Sequence, residues 1–535
     1  MKYINAVTLI LAVCAVIFTA VFMFAPSALG ISEKATLYEA KFFDADTVNT
    51  VNITISQENW ESMLANPLAE EFHMCDVTVN GEVYTSVAVR TKGMTSLSQV
   101  ASSDSDRYSF KIKADEYVSG QSFFGLDEFV LNNCYQDATY MKEFLSYEMM
   151  TGMGVPSPLY SFAAVYVNGE YWGLYLMVEA VEEDFAYRSF GSGYGELYKP
   201  ESMNGGGAGN EMPGGNMPEQ AGGMNRTGMM GVPAGMIQNM TPEMPMDFAG
   251  FNRTERPEGE GGFGGGDMGG FGGSGGGADL VYSDENVSSY SQIFDNAVFD
   301  GVTKADKSRV VDALRNLNAG TDLERYVDVD EVLRYFAVNT ALVNLDSYVS
   351  GLKHNYYLYE SGGRISIVPW DYNLAFGAFQ SGSASDAVNF PVDTPLAAGL
   401  SASERPLIGS LLAVDAYAEQ YHAYVREVAE KYFGAAMAER IDYLDSLIGE
   451  YVRADPTAFY SYEEYRAGVS ALKVYGELRA ESLLGQLDGS VPSTHEGQSA
   501  SPEKLTDASG LNMSALGTMT GGGGGKGGFG KGDIN

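Results

Sequence analysis

Cysteine is nearly absent. The 535 residues hold three, Cys14, Cys75 and Cys134, and none stand as Cys-x-x-Cys. A thiolate zinc site is excluded on that count. Beyond Cys14, Cys75 and Cys134 could pair in an oxidising compartment or stay as separate buried thiols. Histidine is almost as scarce. His73, His354, His422 and His495 lie far apart, so neither a zinc enzyme nor a Ser-His-Asp hydrolase is supported. Basic charge is in deficit, with 33 Lys and Arg against 70 Asp and Glu and a net charge of −37. A polyanion repels this surface, which excludes non-specific nucleic-acid binding. Such acidity suits a soluble, secreted or cell-surface protein, or one that acts on a basic partner. The glycine-rich phosphate loop and the strings HRD and DFG are missing as well, so a conventional protein kinase is excluded.

Long apolar runs are confined to the start of the chain. After Lys2, residues 4–25 carry no charge. That is about the ~20 residues needed to cross a bilayer. The run reads as a long signal peptide cut near Ala28-Leu29-Gly30 or as an uncleaved anchor, and its length favours the anchor. LAVC, ending at Cys14, resembles a lipobox only superficially, because Val13 is large and the apolar run continues past it. In each case the remainder is expected outside the cytoplasm.

Residues 51–113 alternate apolar and polar in VNITIS, CDVTVNGEVYTSVAVRTKG and RYSFKIKAD, the pattern of strands. Asn-Gly in VNGEVY, and again in AAVYVNGEYWGLYL, marks two hairpins. Between them DATYMKEFLSYEMMTGM, 137–153, has helical spacing. Residues 201–277 hold eleven of the 24 Met and much of the Gly. Without sustained apolar periodicity they read as a disordered insertion, and irregular Met spacing argues against a soft-metal site. Helical patterns follow in KSRVVDALRNLNAG and VDEVLRYFAVNTALVNL. HNYYLYESGGRISIVPWDYN is a hairpin turned by Gly-Gly, and helices run to Gly489. Residues 490–535 read as a low-complexity tail. The order predicts an α+β fold, with a β-rich lobe, a mainly helical lobe and a cleft between them.

The stretch IVPWDYNLAFG, 367–377, places a carboxylate at the end of an apolar strand. Pro369 has no N–H to continue a ladder, Trp370 packs, and Asp371 is left at the rim. Because a hairpin brings its two ends together, Asn355 and Asp371 become neighbours, with Asp346 of NLDSY on the loop leading in. Two carboxylates and an amide suit Mg²⁺ or Mn²⁺ on nucleotide phosphates. The same acids also suit a turn cap at Asp346 and an Asx-turn at Asp371. Upstream, Lys111 and Lys113 alternate on the SFKIKAD strand and Glu143 lies on the following helix. A strand lysine, a helix glutamate and two later loop acids recur in kinase-like sites.

These residues carry a resemblance. VAVRTKGMTS, DRYSFKIKADEY, GLDEFVLNNCYQDATYMKEFLSYEMM, NGEYWGLYLMVEAVEEDF, GELYKP and NLDSYVSGLKHNYYLYESGGRISIVPWDYNLAFG together resemble the CotH family, the spore-coat protein H-like atypical protein kinases. The resemblance covers most of the ordered chain and fades near RAESLLGQL. It implies a two-lobed atypical kinase-like fold divided as 1–30 (signal or anchor), 31–200 (β-rich lobe), 201–277 (insertion), 278–489 (helical lobe) and 490–535 (tail). It implies ATP and Mg²⁺ or Mn²⁺ as cofactors, and a protein substrate with Ser or Thr acceptors, possibly basic. Asp371 matches the metal-binding aspartate and Asp346 the catalytic-loop aspartate, with Asn355 a second metal ligand. Lys111 is the phosphate-gripping lysine, with Lys113 and Arg107 as competitors, and Glu143 is its partner. Glu179 falls at the hinge near the adenine, acting through its backbone.

Three departures from the family pattern stand out. Asn373 occupies the place of a second aspartate in WDxD. Lys92-Gly93 stands where an Arg-Gly pair is common, and the Met/Gly insertion is extra. The implied activity is transfer of the ATP γ-phosphate to an extracytoplasmic or spore-coat protein. The alternatives are a surface binding or adhesion protein on the same fold without catalysis, and a structural matrix component.

Overall fold

A computed structural model describes residues 36–201 and 277–517, all within one unit of the chain. The apolar run at the N-terminus, the Met/Gly-rich insertion and the glycine-rich end of the tail lie outside the described residues. Among the described residues no helix is long and apolar enough to cross a membrane.

Seven strands close into a barrel: β1 (Val48–Thr54), β2 (His73–Val79), β3 (Glu82–Lys92), β4 (Ser109–Lys113), β5 (Glu128–Asn132), β6 (Tyr160–Val167) and β7 (Glu170–Glu179), in the order β1-β2-β3-β4-β5-β7-β6. Closure comes from the parallel pairing of β1 with β6. It removes the open edges that a flat sheet would leave. Both Asn-Gly hairpins form as read. Asn80, Gly81, Asn168 and Gly169 all take positive φ, as a two-residue turn of matching twist requires. Alternation then decides the faces. Val87, Val89, Phe110, Ile112, Phe129 and Leu131 fill the barrel. Arg90, Lys92, Lys111, Lys113, Glu128 and Asn132, on alternate positions of β3, β4 and β5, therefore share its outer face.

Against the barrel packs α1 (Lys142–Gly152), buried on nearly every side. The periodicity suggested a start at Asp137. The helix instead begins at Lys142, because the Asp137 carboxylate takes the N–H groups of Thr139 and Lys142, both at 2.9 Å, in a turn that precedes it. The other long helices are α2 (Lys304–Ala319), α3 (Val329–Leu342), α4 (Asp415–Tyr432), α5 (Ala435–Arg453) and α6 (Tyr462–Asp488). A separate small sheet joins β8 (Glu196–Tyr198), β9 (Tyr356–Ser361) and β10 (Arg364–Pro369). The β9–β10 hairpin turns at Gly362-Gly363, as its sequence predicts. The fold is thus mixed α+β, β-rich first and helical after.

Two expectations change, and the open question of the two cysteines is answered. A helix at Gln57–Ala65, capped by the Ser56 hydroxyl, interrupts the β-rich stretch. Cys75 and Cys134 do not pair; both are free and buried, in different apolar clusters. The chain does not become a tail at residue 490. Residues 490–517 stay folded, burying Val491, Ala508, Leu511 and Leu516. The amide of Asn389 also accepts from Thr506 N–H and donates to its carbonyl, both at 3.0 Å. These anchors are single residues between turns, so no periodicity announced them.

Candidate active site

β3 ends at Lys92, and its ammonium donates to Asn132 Oδ1 at 3.0 Å. The Asn132 amide nitrogen reaches both Glu143 oxygens, at 3.1 and 2.9 Å. One turn further along α1, the Tyr147 hydroxyl donates to Glu143 Oε1 at 3.1 Å. The same hydroxyl oxygen accepts the backbone N–H of Asp371 at 3.1 Å. Barrel, helix and hairpin exit are therefore joined through five residues. Lys92 also lies 5.5 Å from the Trp370 ring centroid. Lys199 sits 6.0 Å from that ring and pairs with Glu201 at 2.9 Å.

The hairpin does present its two ends together. Pro369 pairs with Tyr356, so Asn355 and Asp371 flank the same rim. Both take left-handed backbone, φ 55° and 59°. Ile367 and Val368 are buried behind them, and Trp370 packs edge-on against Tyr357 with centroids 5.7 Å apart. Asp346 follows α3, whose C-cap Val343 has φ 51°. A β-branched residue is rarely found in that region. The Asp346 carboxylate lies 2.6 Å from His354 Nε2 and accepts from Asn355 Nδ2 at 3.0 Å.

No described residue donates a hydrogen bond to the Asp371 carboxylate. Burial raises its pKa; Lys92 opposes this, Asp346 adds to it, and Lys199 and His354 oppose it. Glu143 is pushed up to about 7, first by burial and then by Asp371, while Asn132, Lys92 and Tyr147 pull it back. Burial lowers Lys92, and Asp371 resists this more than Glu143 does. Lys92 thus answers chiefly to Asp371 and only through an amide to Glu143.

The structure places the other candidates elsewhere. Lys111 shares the face of Lys92 but pairs with Glu128 at 2.7 Å; it is not brought to Glu143. Lys113 pairs with Glu116 at 3.3 Å. Arg107 is fully buried. It holds Asp455 at 2.8 Å and the Asn133 carbonyl at 3.0 Å, which makes it a tie between barrel and helices. Glu179 spends its carboxylate on Tyr38, Arg188 and the N–H of Leu159, and its own N–H on the Leu159 carbonyl. Neither that carboxylate nor that N–H is left for an adenine. Lys92, Asn132, Tyr147, Lys199 and His354 were not among the candidates. In the sequence Lys92 was marked only by the Lys92-Gly93 departure, and His354 by its place next to Asn355.

Among the described residues no group of three or more His, Cys, Asp or Glu side chains is arranged as a metal cage. Mg²⁺ rarely needs one, since it keeps waters and takes one or two carboxylates plus phosphates. The unpartnered Asp371 carboxylate fits that demand, as does Asn355 Oδ1, which receives no donor from a described residue. Asn373 turns its amide nitrogen to the Tyr135 carbonyl at 3.1 Å. A cavity of about 230 Å³ between α1, α4 and α5, lined by Leu145, Met149, Tyr432 and Arg440, shares no residue with this site.

The Inner spore coat protein H of Bacillus subtilis (strain 168) is 39% identical over 59 residues. That match covers 11% of this chain and 15% of the relative. A family model described as CotH kinase protein matches residues 89–244 and 250–483, a span that includes every residue of the site just described. Matched over well more than half its length, the chain belongs to the CotH kinase protein family.

Proposed function

We propose that this protein is a metal-dependent kinase, on a two-lobed kinase-like arrangement, that transfers the γ-phosphate of ATP to Ser or Thr of a protein outside the cytoplasm, such as a coat protein. The observation that carries this reading is the Lys92–Asn132–Glu143 linkage beside the unpartnered carboxylate of Asp371, with Asp346 contributing to the same field. Lys92, rather than Lys111, is the cation for the phosphates, and Glu143 orients it through Asn132. Asp371 and Asn355 would hold Mg²⁺ or Mn²⁺. The ion supplies charge neutralisation on the phosphates when bound. Asp346 accepts the acceptor hydroxyl's proton or orients it, its own position fixed by His354 and Asn355. Such fixed groups lower the barrier because their ordering is complete before substrate arrives.

The name of the relative supports a second reading, a coat or surface binding protein without catalysis. The deciding experiment incubates the full-length protein with radiolabelled ATP and Mg²⁺ or Mn²⁺, alone and with a basic, Ser-rich acceptor, beside Asp371→Ala. Transfer that vanishes in the variant establishes the kinase. A folded wild type with neither transfer nor metal-dependent ATP binding leaves the binding protein.

A further inference from the structure

We infer that Asn132 and Tyr147 are positioning residues that lock the phosphate lysine and the metal aspartate into one preassembled unit before any nucleotide binds. The inference rests on the reading above for the roles of Lys92 and Asp371, but the linkage itself is a property of the free protein.

The geometry is specific. In this arrangement the strand lysine is not paired directly with the helix glutamate; the Asn132 amide stands between them. Its oxygen accepts from Lys92 at 3.0 Å, and its nitrogen donates to both Glu143 oxygens. An amide is the side chain suited to this place, because it accepts from a cation on one side and donates to a carboxylate on the other. The consequence is electrostatic. A lysine in direct contact with a glutamate is largely neutralised by it, whereas here the Asn132 amide keeps Glu143 one hydrogen bond away from the Lys92 charge.

Tyr147 extends the unit to the hairpin. It is fully buried, its ring stacked on Tyr160 at 5.9 Å and lying 6.1 Å from Tyr372. Its hydroxyl has one proton, given to Glu143 Oε1, and it accepts the N–H of Asp371. That N–H belongs to a residue with φ 59°. A non-glycine residue holds such a conformation only when its surroundings fix it. Tyr147 supplies the acceptor. Without the hydroxyl, a partly buried N–H loses its partner and the left-handed turn loses a restraint.

The tests use the full-length protein. In Tyr147→Phe, hydrogen exchange of the Asp371 amide is expected to rise at least about tenfold, followed on the peptide spanning 367–377. Tyr421→Phe serves as control, since it removes a buried hydroxyl bonded to Thr340 Oγ1 at 2.9 Å instead; it should leave that amide unchanged. In phosphoryl transfer, Tyr147→Phe should lower kcat by about 10–100-fold with KM for ATP within about threefold, the mark of lost positioning rather than lost binding. For Asn132, Asn132→Asp keeps the acceptor for Lys92 but sets a carboxylate against Glu143, and should lower kcat at least about tenfold. Adding Glu143→Gln returns a donor to that contact and should recover part of the loss. An Asp371 amide that exchanges at the wild-type rate in Tyr147→Phe overturns the inference, as does an unchanged kcat in an active enzyme. A double variant no better than Asn132→Asp overturns the role of Asn132. A wild type that transfers no phosphate overturns the proposed function instead, and amide exchange then decides this inference alone.

Discussion

His354 Nε2 lies 2.6 Å from Asp346 Oδ1, while Asn355 Nδ2 lies 3.0 Å from Oδ2 of the same carboxylate. Two consecutive residues thus fix one acid, at the point where the chain turns into β9. Burial works against a charged His354 ring, but the hydrogen bond and charge of Asp346 outweigh it, and the pKa rises from its ordinary 6.5. A histidine with a raised folded pKa adds stability that is fully present below about 6.5 and is lost as pH rises through the folded value. Thermal unfolding of wild type should therefore show a midpoint that falls as pH is raised from below 6.5. His354→Gln should flatten that slope while leaving Asp346 in place. An unchanged slope would mean that another group sets it.

Lys92 and Lys111 lie on one face of the barrel, yet only Lys92 reaches Asn132. Lys92→Met should cut phosphoryl transfer by about a hundredfold or more, because a preorganised cation opposite developing phosphate charge is lost. Lys111→Met leaves the buried Glu128 carboxylate without its cation. It should lower the unfolding midpoint and change activity by no more than about threefold. Steady-state kinetics of the two variants side by side checks the assignment, and equal losses would return Lys111 to the site.

Arg107 and Asp455 meet at 2.8 Å with both side chains fully buried. Removing one partner strands a charge in the interior, at about 3–5 kcal/mol. Arg107→Met should therefore lower the unfolding midpoint steeply, and the KM for ATP of the protein that remains folded should not move. A variant that stays as stable as wild type but binds ATP poorly would put Arg107 back at the phosphates.

The two-residue turns and the alternation of apolar residues were sufficient to read the hairpins, the shared rim of Asn355 and Asp371, and the mixed α+β order. Local chemistry sets all three. Which strand lysine reaches Asn132 was not legible in that way. Lys92 and Lys111 have the same alternation, and the choice depends on which strand end meets α1, a contact between elements about fifty residues apart in sequence. The surroundings of Glu179 were hidden for a similar reason. It stands at the end of a strand, but its carboxylate is taken by Tyr38 and Arg188. Barrel closure was hidden because β1 finds β6 across more than a hundred residues, in parallel.

Lys142 shows why the folded stretch beyond residue 490 matters. Its side chain is fully buried at the start of α1, one residue before Glu143. Its ammonium donates to the carbonyls of Gln136 and Gly517, both at 2.9 Å. Burial pushes its pKa down to about 8 against the pull of Asp137, so each carbonyl that receives it matters. Gly517 has φ 71°, and a Cβ there would meet Ala138 N and Gln136 O, both at 2.8 Å. Truncation after Gly489 removes the Gly517 carbonyl and uncovers the sites of Leu511 and Leu516, each burying about 1.5–3 kcal/mol of apolar surface. The midpoint should fall, and phosphoryl transfer should fall with it because α1 carries Glu143. Truncation after Thr520 keeps the Gly517 carbonyl as an amide and should leave both unchanged, and Gly517→Ala should reproduce part of the longer truncation. Lys142→Met in the shortened protein should recover some stability, since a stranded ammonium is replaced by an apolar chain of similar length. Equal unfolding midpoints for the two truncations would show that residues 490–517 lie on α1 without holding it.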